Sequence, residues 1–253
     1  MPHRVDYGQI DSAPRDTGEV NGAAELYQFV KDGYNGGTLG PMSIVSAELT
    51  EGTSKRNIHL IGISGTETVE GQATHFATNI PAALNISNTA FLNAKRNIIN
   101  SVPPGSTLLL TGHSQGGIIA QQLAMDPDIK RLYDIERIVA FGTPPITFMQ
   151  QEGTLILISS RNDPVPHVSP QAALEKLALP GRDTRLRLQT EHMIRKTVDN
   201  PIAAHTAEYS NESNTELAQI DVLGRVGARH PATISFNPEK RQFFSSPSRP
   251  NQP

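Results

Sequence analysis

Residues 112–117, with the sequence Gly-His-Ser-Gln-Gly-Gly, constrain the fold of this chain more than any other segment. They follow the apolar run 107–110 and precede residues 118–124, whose composition is typical of a buried helix. The sequence therefore predicts a strand, a sharp turn and a helix, with Ser114 at the turn. Glycines two residues before and after the serine leave room for a strained backbone. The helix directs its first N–H groups towards the serine, where they can stabilise negative charge.

The composition excludes several classes of protein. The chain has 253 residues, enough for one α/β domain or two small ones, and a net charge of −3. This charge balance indicates no basic surface for nucleic acid. Cysteine is absent, which excludes disulfides, thiolate metal sites and a cysteine nucleophile.

The apolar runs and turn residues predict a single α/β domain over residues 1–235. Runs of this kind, uninterrupted by polar positions, are typical of strands covered on both faces, so we expect a central, mostly parallel sheet flanked by helices. Residues 236–253 are rich in proline and serine and are predicted to form a disordered tail. The predicted strands are 43–49, 57–64, 107–110, 136–142, 154–160 and 184–189, and the predicted helices include 23–30, 74–100, 118–125 and 213–223.

A serine nucleophile needs a base within hydrogen-bond reach and a carboxylate that orients the base. In α/β folds with this kind of turn, the acid and then the histidine follow the serine along the chain. Asp163 is the first candidate for the acid because it comes directly after the apolar run 154–160. The alternative is that Asp163 only forms an Asp-Pro turn. Asp183 and Asp199 are the other candidates.

Four histidines follow Asp163: His167, His192, His205 and His230. His205 is the preferred base, because it lies in a predicted loop of small residues from which a side chain can reach the serine. His192 and His230 remain alternatives. His113, which directly precedes Ser114, is expected to pack beside the strand rather than act as the base.

An oxyanion hole requires two backbone donors. The residue after the nucleophile, Gln115, supplies one N–H group. The loop that follows the predicted strand 57–64 contains Gly65 and Thr66, and the N–H of Thr66 is the candidate for the second donor. The alternative is that this loop is an ordinary turn at the end of a strand.

Together these motifs resemble the class 3 (fungal-type) lipase family of the α/β-hydrolase superfamily. The resemblance covers residues 58–209 and is carried by Ser-Gly-Thr at 64–66, Gly-His-Ser-Gln-Gly-Gly at 112–117, Asn-Asp-Pro-Val-Pro at 162–166 and His205. It implies an α/β-hydrolase fold with Ser114 as nucleophile, Asp163 as acid and His205 as base, and with Thr66 and Gln115 as oxyanion donors.

The chain departs from that family in three ways. Ser64 stands where members usually have an arginine, the disulfides of secreted fungal members are missing, and no long amphipathic lid is evident in the segment 67–90.

The predicted function is hydrolysis of carboxylic esters of acyl lipids through an acyl-enzyme, with no metal or cofactor. A lipid substrate implies transient contact with a membrane surface, whereas nucleic acid is not expected as a partner. One alternative is a phospholipase effector or toxin that acts on membrane phospholipids, and another is a non-catalytic binding protein on the same fold. The chain shows no apolar leader and no run near the ~18 apolar residues of a membrane span. We therefore expect a soluble protein, either cytoplasmic or exported without a cleavable signal.

Overall fold

The strand that leads to Ser114 is buried on both sides. The computed structural model describes residues 17–34, 41–65, 88–146, 153–167, 189–195 and 197–244. Within them, Leu109 packs into a core on one face of the sheet, while Leu108 and Leu110 pack into a core on the other. Successive side chains of a strand point to opposite faces, so an unbroken apolar run is what a sheet with two covered faces requires.

The described residues form a mixed α/β structure in which helices flank a nine-stranded sheet. The strands are β1 (Glu19–Val20), β2 (Met42–Glu51), β3 (Ser54–Ile63), β4 (Thr107–His113), β5 (Asp134–Phe141), β6 (Thr154–Ser160), β7 (Gln189–Ile194), β8 (Ala232–Phe236) and β9 (Gln242–Phe244). The helices are α1 (Ala23–Lys31), α2 (Asn88–Ser101), α3 (Gln115–Met125), α4 (Pro127–Leu132) and α5 (Pro201–Thr206). Single turns of 3-10 helix occur at Asp32–Tyr34, Val165–His167, Glu208–Ser210, Leu217–Gln219 and Pro238–Lys240.

The sheet is parallel in one half and antiparallel in the other. Its strand order is β1-β8-β2-β3-β4-β5-β6-β7, and β9 pairs with β2. Strands β3 to β7 are parallel, whereas β2 pairs antiparallel with β3, β8 and β9, and β1 pairs antiparallel with β8. The sheet is thus less parallel than the sequence predicted. Two features explain this difference: a tight hairpin joins β2 to β3, and the C-terminal strands return to the β2 edge.

The parallel half aligns the carboxyl ends of its strands at one edge. Ile63 of β3 is in register with Gly112 of β4, and His113 of β4 is in register with Phe141 of β5. The turn to Ser114 and the loop after β6 therefore begin at the same edge. In open α/β sheets this is the edge where functional groups gather.

Helices cover both faces. Helix α1 and the turns around Leu217–Gln219 pack on one face through Leu26, Tyr27, Phe29 and Leu217. Helices α2, α3 and α4 pack on the other face through Ile98, Leu123 and Ile129. No helix in the described ranges has both the length and the apolar composition needed to cross a membrane.

The C-terminal segment differs from the predicted tail. Residues 236–244 are structured: β8 ends at Phe236 and β9 pairs with β2. Arg241, which is buried, forms an ion pair of 2.7 Å with Asp32 and lies 3.7 Å from the centroid of the Phe29 ring. Residues 236–244 therefore belong to the sheet, residues 245–253 lie outside the described part of the chain, and the division into one domain and a tail stays a prediction.

Two other sequence predictions need correction. Residues 213–223 form turns instead of a helix: Leu217–Gln219 is one turn of 3-10 helix, and the chain then reverses at Asp221, whose Oδ1 accepts from the N–H groups of Leu223 and Arg225. The strand predicted at 184–189 is found at Gln189–Ile194, and residues 184–188 are not among those described.

Candidate active site

Ser114 occupies a strained turn between β4 and α3. Its φ of 54° and ψ of −121° make it the one non-glycine residue with positive φ among those described. The turn is held by hydrogen bonds, since Ser114 N–H donates to the carbonyl of Phe141 at 3.0 Å and Thr143 Oγ1 donates to the carbonyl of Ser114 at 3.0 Å. Strain of this kind persists only where the surroundings enforce it. Ser114 is also partly exposed.

The glycines around Ser114 allow backbones to approach closely, as the sequence predicted. A Cβ atom on Gly112 would lie 2.5 Å from the backbone of Gly116. A Cβ on Gly116 would lie 2.0 Å from the carbonyl oxygen of Ile63. The start of helix α3 is thereby pressed against the end of strand β3, where the loop containing the candidate oxyanion donor begins.

Asp163 is a completely buried carboxylate with a hydrogen bond at each oxygen. Its Oδ1 accepts from Val165 N–H at 2.9 Å, which forms the turn that the Asp-Pro sequence predicted. Its Oδ2 accepts from His205 Nδ1 at 2.9 Å and from the Tyr209 hydroxyl at 2.6 Å. The two interpretations of Asp163, a turn former and the partner of a histidine, therefore both apply, one to each oxygen.

His205 lies in helix α5, which corrects the loop expected from the sequence. The helix begins at Pro201, and the side chain of Asn200 caps it by accepting from Ile202 N–H at 2.9 Å and from Ala203 N–H at 3.2 Å. Asparagine followed by proline is a favourable helix start. Because an ionised carboxylate only accepts hydrogen bonds, the contact with Asp163 assigns the proton to Nδ1 of His205. In the neutral ring Nε2 is then the basic atom.

His113 connects the turn to the candidate base. Its Nε2 lies 2.9 Å from the carbonyl oxygen of His205, so this nitrogen is the donor. The two imidazole rings contact each other at an interplanar angle of 37°, with centroids 4.4 Å apart. Burial lowers the pKa of His113 well below its usual range, and the neighbouring His205 lowers it further. Ser114 directly follows His113 in the chain, so the serine is adjacent to a residue that contacts His205.

Gly142, at the end of β5, packs directly behind the Asp163–His205 pair. It has a φ of +55°, and a Cβ there would lie 2.7 Å from Asp163 Oδ2 and 3.1 Å from His205 Nδ1. Any side chain at this position would displace the carboxylate or the imidazole.

The other candidates from the sequence lie in different environments. His192 Nε2 is 2.7 Å from the carbonyl oxygen of Gly224. His230 packs beside Gly52 in the β2–β3 hairpin, at the opposite end of the parallel strands from Ser114. His167 ends the 3-10 turn after Asp163, and Asp199 is exposed. Asp183 is outside the described residues.

Only one side of the predicted oxyanion hole can be described. Gln115 is the first residue of helix α3, so its N–H group lies at the amino end of the helix, next to Ser114. Thr66 lies outside the described residues, as does most of the segment 67–90. The loop before Thr66 is anchored, because Ser64 Oγ donates to the carbonyl of Val30 at 2.8 Å.

Tyr209 is a residue of the site that the sequence did not predict. This residue is fully buried, and its hydroxyl contacts Asp163. A tyrosine four residues after a candidate histidine belongs to no known motif. The one available signal was the spacing, because residues one helical turn apart can face the same group.

Replacement of His113 tests its buried, neutral state. In the unfolded chain a histidine binds a proton near pH 6.5, whereas folded His113 does so only at lower pH. The contribution of His113 to the free energy of unfolding is therefore complete above about pH 6.5. It decreases as the pH falls below that value, by at most about 1.4 kcal/mol per pH unit. We expect His113→Gln, which keeps a donor for the His205 carbonyl, to flatten the fall in unfolding free energy between pH 7 and 5. His59→Gln is the comparison: burial lowers the pKa of this half-buried residue less than that of His113, so this variant should flatten the fall less. An unchanged slope in His113→Gln contradicts the prediction.

Replacement of Gly142 tests the packing behind the carboxylate. Gly227 has a similar φ of +59° but no atom within 4 Å of an added Cβ, so it is a matched control. Both alanine variants should lose about 1–2 kcal/mol from the positive φ. Gly142→Ala should lose a further ~1–3 kcal/mol from overpacking against Asp163 and His205. Urea unfolding measures both values, and equal losses would refute close packing at Gly142.

Comparisons with known proteins identify no family. No protein-family model matches the chain, and no curated protein matches it. Among solved structures, the chain is similar to the crystal structure of M37 lipase, with 13% sequence identity and a TM-score of 0.30 over 75% of this chain and 80% of that one. A TM-score this low does not establish a shared fold, and the interpretation of the site depends on its own geometry.

Proposed function

We propose that this chain is a serine hydrolase of the α/β-hydrolase type that cleaves carboxylic esters of acyl lipids. The observation that carries the proposal is a strained, partly exposed Ser114 whose preceding residue contacts a histidine, which is itself hydrogen-bonded to a buried aspartate. A nucleophile, a base and an orienting carboxylate are the three groups that acyl transfer by serine requires. They also occur in the chain order expected for this fold.

The proposed reaction begins when Ser114 Oγ attacks the ester carbonyl and His205 Nε2 takes the hydroxyl proton. Asp163 stabilises the resulting imidazolium through Nδ1. The negative charge on the tetrahedral carbonyl oxygen is held by the N–H groups of Gln115 and Thr66. His205 then gives its proton to the departing alcohol, which leaves an acyl group on Ser114. Water attacks this acyl-enzyme with His205 as base, and the acid is released.

The choice of acyl lipids rests on the resemblance of the motifs to class 3 lipases. Exposed apolar side chains near His205 are compatible with it: Val198 is 42% exposed and Ile202 is 36% exposed, and both lie on the segment that leads to the histidine. An apolar rim of this kind suits a long acyl chain better than a charged substrate.

Labelling and hydrolysis together test the proposal. We expect a fluorophosphonate probe to label the wild type and Ser106→Ala but not Ser114→Ala, and the last variant to lose about 10⁴-fold or more in hydrolysis of p-nitrophenyl esters. Ser106 is a matched control, because it is also partly buried but precedes β4, at the opposite end of that strand. If all three proteins fail to label and hydrolyse no ester, the chain is not a serine hydrolase. Fatty-acid release from phospholipid vesicles but not from triacylglycerol would favour the phospholipase alternative.

A second set of variants tests the identity of the base. His205→Ala should lose about 10³-fold or more in kcat, because Ser114 would have no proton acceptor. His192→Ala and His230→Ala should stay within about twofold of the wild type, since both side chains have contacts elsewhere. Near-normal activity of His205→Ala, with a large loss in either of the other two, would transfer the role.

A further inference from the structure

Tyr209 is the least expected residue at the site. It is fully buried and lies one helical turn after His205, in the 3-10 turn that follows helix α5. Its hydroxyl oxygen is 2.9 Å from the backbone nitrogen of Ser160 and 2.6 Å from Asp163 Oδ2. The phenol thus joins the last residue of β6 to the carboxylate that follows this strand.

The direction of both hydrogen bonds follows from the chemistry of the partners. A backbone N–H can only donate, so the hydroxyl oxygen accepts from Ser160. The single phenolic hydrogen is then available for Asp163, which only accepts while it is ionised. Burial raises the pKa of Tyr209 well above its usual range, and the charge of Asp163 raises it further. The phenol therefore stays protonated and remains a donor at every pH at which an esterase is assayed.

We infer that Tyr209 is a positioning residue for the proposed hydrolase. Its hydroxyl fixes the orientation of the Asp163 carboxylate and weakens the attraction between this carboxylate and the imidazolium of His205. This inference rests on the proposed function, because it assigns Tyr209 a task in that reaction. Tyr209 acts through Asp163 and has no contact with the substrate in this scheme.

The geometric part of the task follows from the donors at each oxygen. Val165 N–H holds Oδ1, and the Tyr209 hydroxyl holds Oδ2. Because both oxygens are held independently of His205, the carboxylate cannot rotate without breaking a hydrogen bond. The imidazole consequently meets an acceptor whose direction is already set, as efficient proton transfer requires.

The electrostatic part follows from the sharing of one oxygen. Oδ2 accepts from both the Tyr209 hydroxyl and His205 Nδ1, so the phenol neutralises part of the charge that would otherwise stabilise the imidazolium. Removing the hydroxyl should strengthen the attraction between Asp163 and protonated His205. The pH at which His205 loses its proton should then rise. Removing the carboxylate charge, as in Asp163→Asn, should have the opposite effect.

The other ionisable groups around the pair do not compete for this role. His113, from β4, contacts the backbone carbonyl of His205, and burial lowers its pKa. Tyr27, from α1, donates to the carbonyl of Thr206 at 3.0 Å, and Lys31 of the same helix acts on His113 only through its charge. The carboxylate of Glu208 accepts from Asn214 and Val198.

Among the described residues, Tyr209 and His205 are the two side chains that donate to Asp163. An upward shift is therefore expected when the Tyr209 hydroxyl is removed, and its sign is a specific test.

The experiment compares Tyr209→Phe with Tyr133→Phe. Tyr133 is a matched control, since it is also buried and its hydroxyl donates to the carbonyl of Val102 at 2.9 Å, in the core on the opposite face of the sheet. Two readouts are taken in each protein: the NMR titration of the His205 imidazole, assigned with His205→Gln, and the pH profile of kcat/KM for a p-nitrophenyl ester. Thermal unfolding of both variants measures the structural effect of losing a buried hydroxyl.

We expect the imidazole midpoint and the acid limb of kcat/KM in Tyr209→Phe to rise by about one pH unit. We expect kcat to fall about tenfold with KM unchanged, because Tyr209 is buried and acts only through Asp163. Tyr133→Phe should leave both midpoints and kcat at the wild-type values. A purely structural role would lower the melting temperature of Tyr209→Phe without moving either midpoint.

An unchanged or lowered midpoint in Tyr209→Phe overturns the inference, whether or not the protein hydrolyses esters. If the NMR midpoint rises while no variant shows Ser114-dependent hydrolysis, the coupling of Tyr209 to the pair stands and the proposed function fails. If hydrolysis depends on Ser114 and the midpoint does not rise, the proposed function stands and the inference fails.

Discussion

The buried charge of Asp163 is the constraint on which the site depends. A carboxylate with no exposed surface is tolerated only when hydrogen bonds and an opposite or polarisable partner replace its water. The donors come from separate parts of the chain: Val165 from the same turn, and His205 and Tyr209 from a segment more than 40 residues later. Satisfying this one group therefore fixes α5 and the following turn against the carboxyl ends of β5 and β6.

The turn at Ser114 depends on the same edge through a different set of contacts. The Ser114 N–H is bound by the last residue of β5, and the carbonyl of Ser114 is bound by Thr143, which follows that strand by two residues. Gly142 lies between Phe141 and Thr143 in the chain, and a Cβ atom on it would lie 2.7 Å from Asp163 Oδ2. The end of β5 thus holds the candidate nucleophile on one side and the acid–base pair on the other, so a small shift of this strand would alter both.

The sequence predicted those parts of the fold that depend on local chemistry. The strands β4, β5 and β6 are continuous apolar runs, and the glycines near Ser114 indicated a crowded turn. The predictions from the sequence were wrong where a few polar side chains decide the conformation of the backbone. Asn200 and Pro201 start a helix too short to show periodicity, and the Asp221 side chain holds a turn inside the segment predicted as a helix.

Long-range pairing was also beyond a single sequence. The segment after residue 235 has the composition of a tail, yet residues 236–244 pack against the sheet, where Arg241 pairs with Asp32, an acidic partner 209 residues away along the chain. The contact between Tyr209 and Asp163 could not be predicted for the same reason. It forms only because the loop after β6 and the turn after α5 pack together. Contacts of this kind depend on the assembled sheet, and no local pattern encodes them.

The residue that directly precedes the serine, His113, couples the two halves of the site. It is covalently joined to Ser114, and its side chain donates to the backbone of His205 while the two rings contact each other. A second protonated imidazole at this distance would repel the imidazolium that the proposed reaction forms on His205. Burial prevents this by keeping His113 neutral, as its lowered pKa indicates. The same residue therefore joins Ser114 to His205 without adding a charge that would oppose the proton transfer proposed between them.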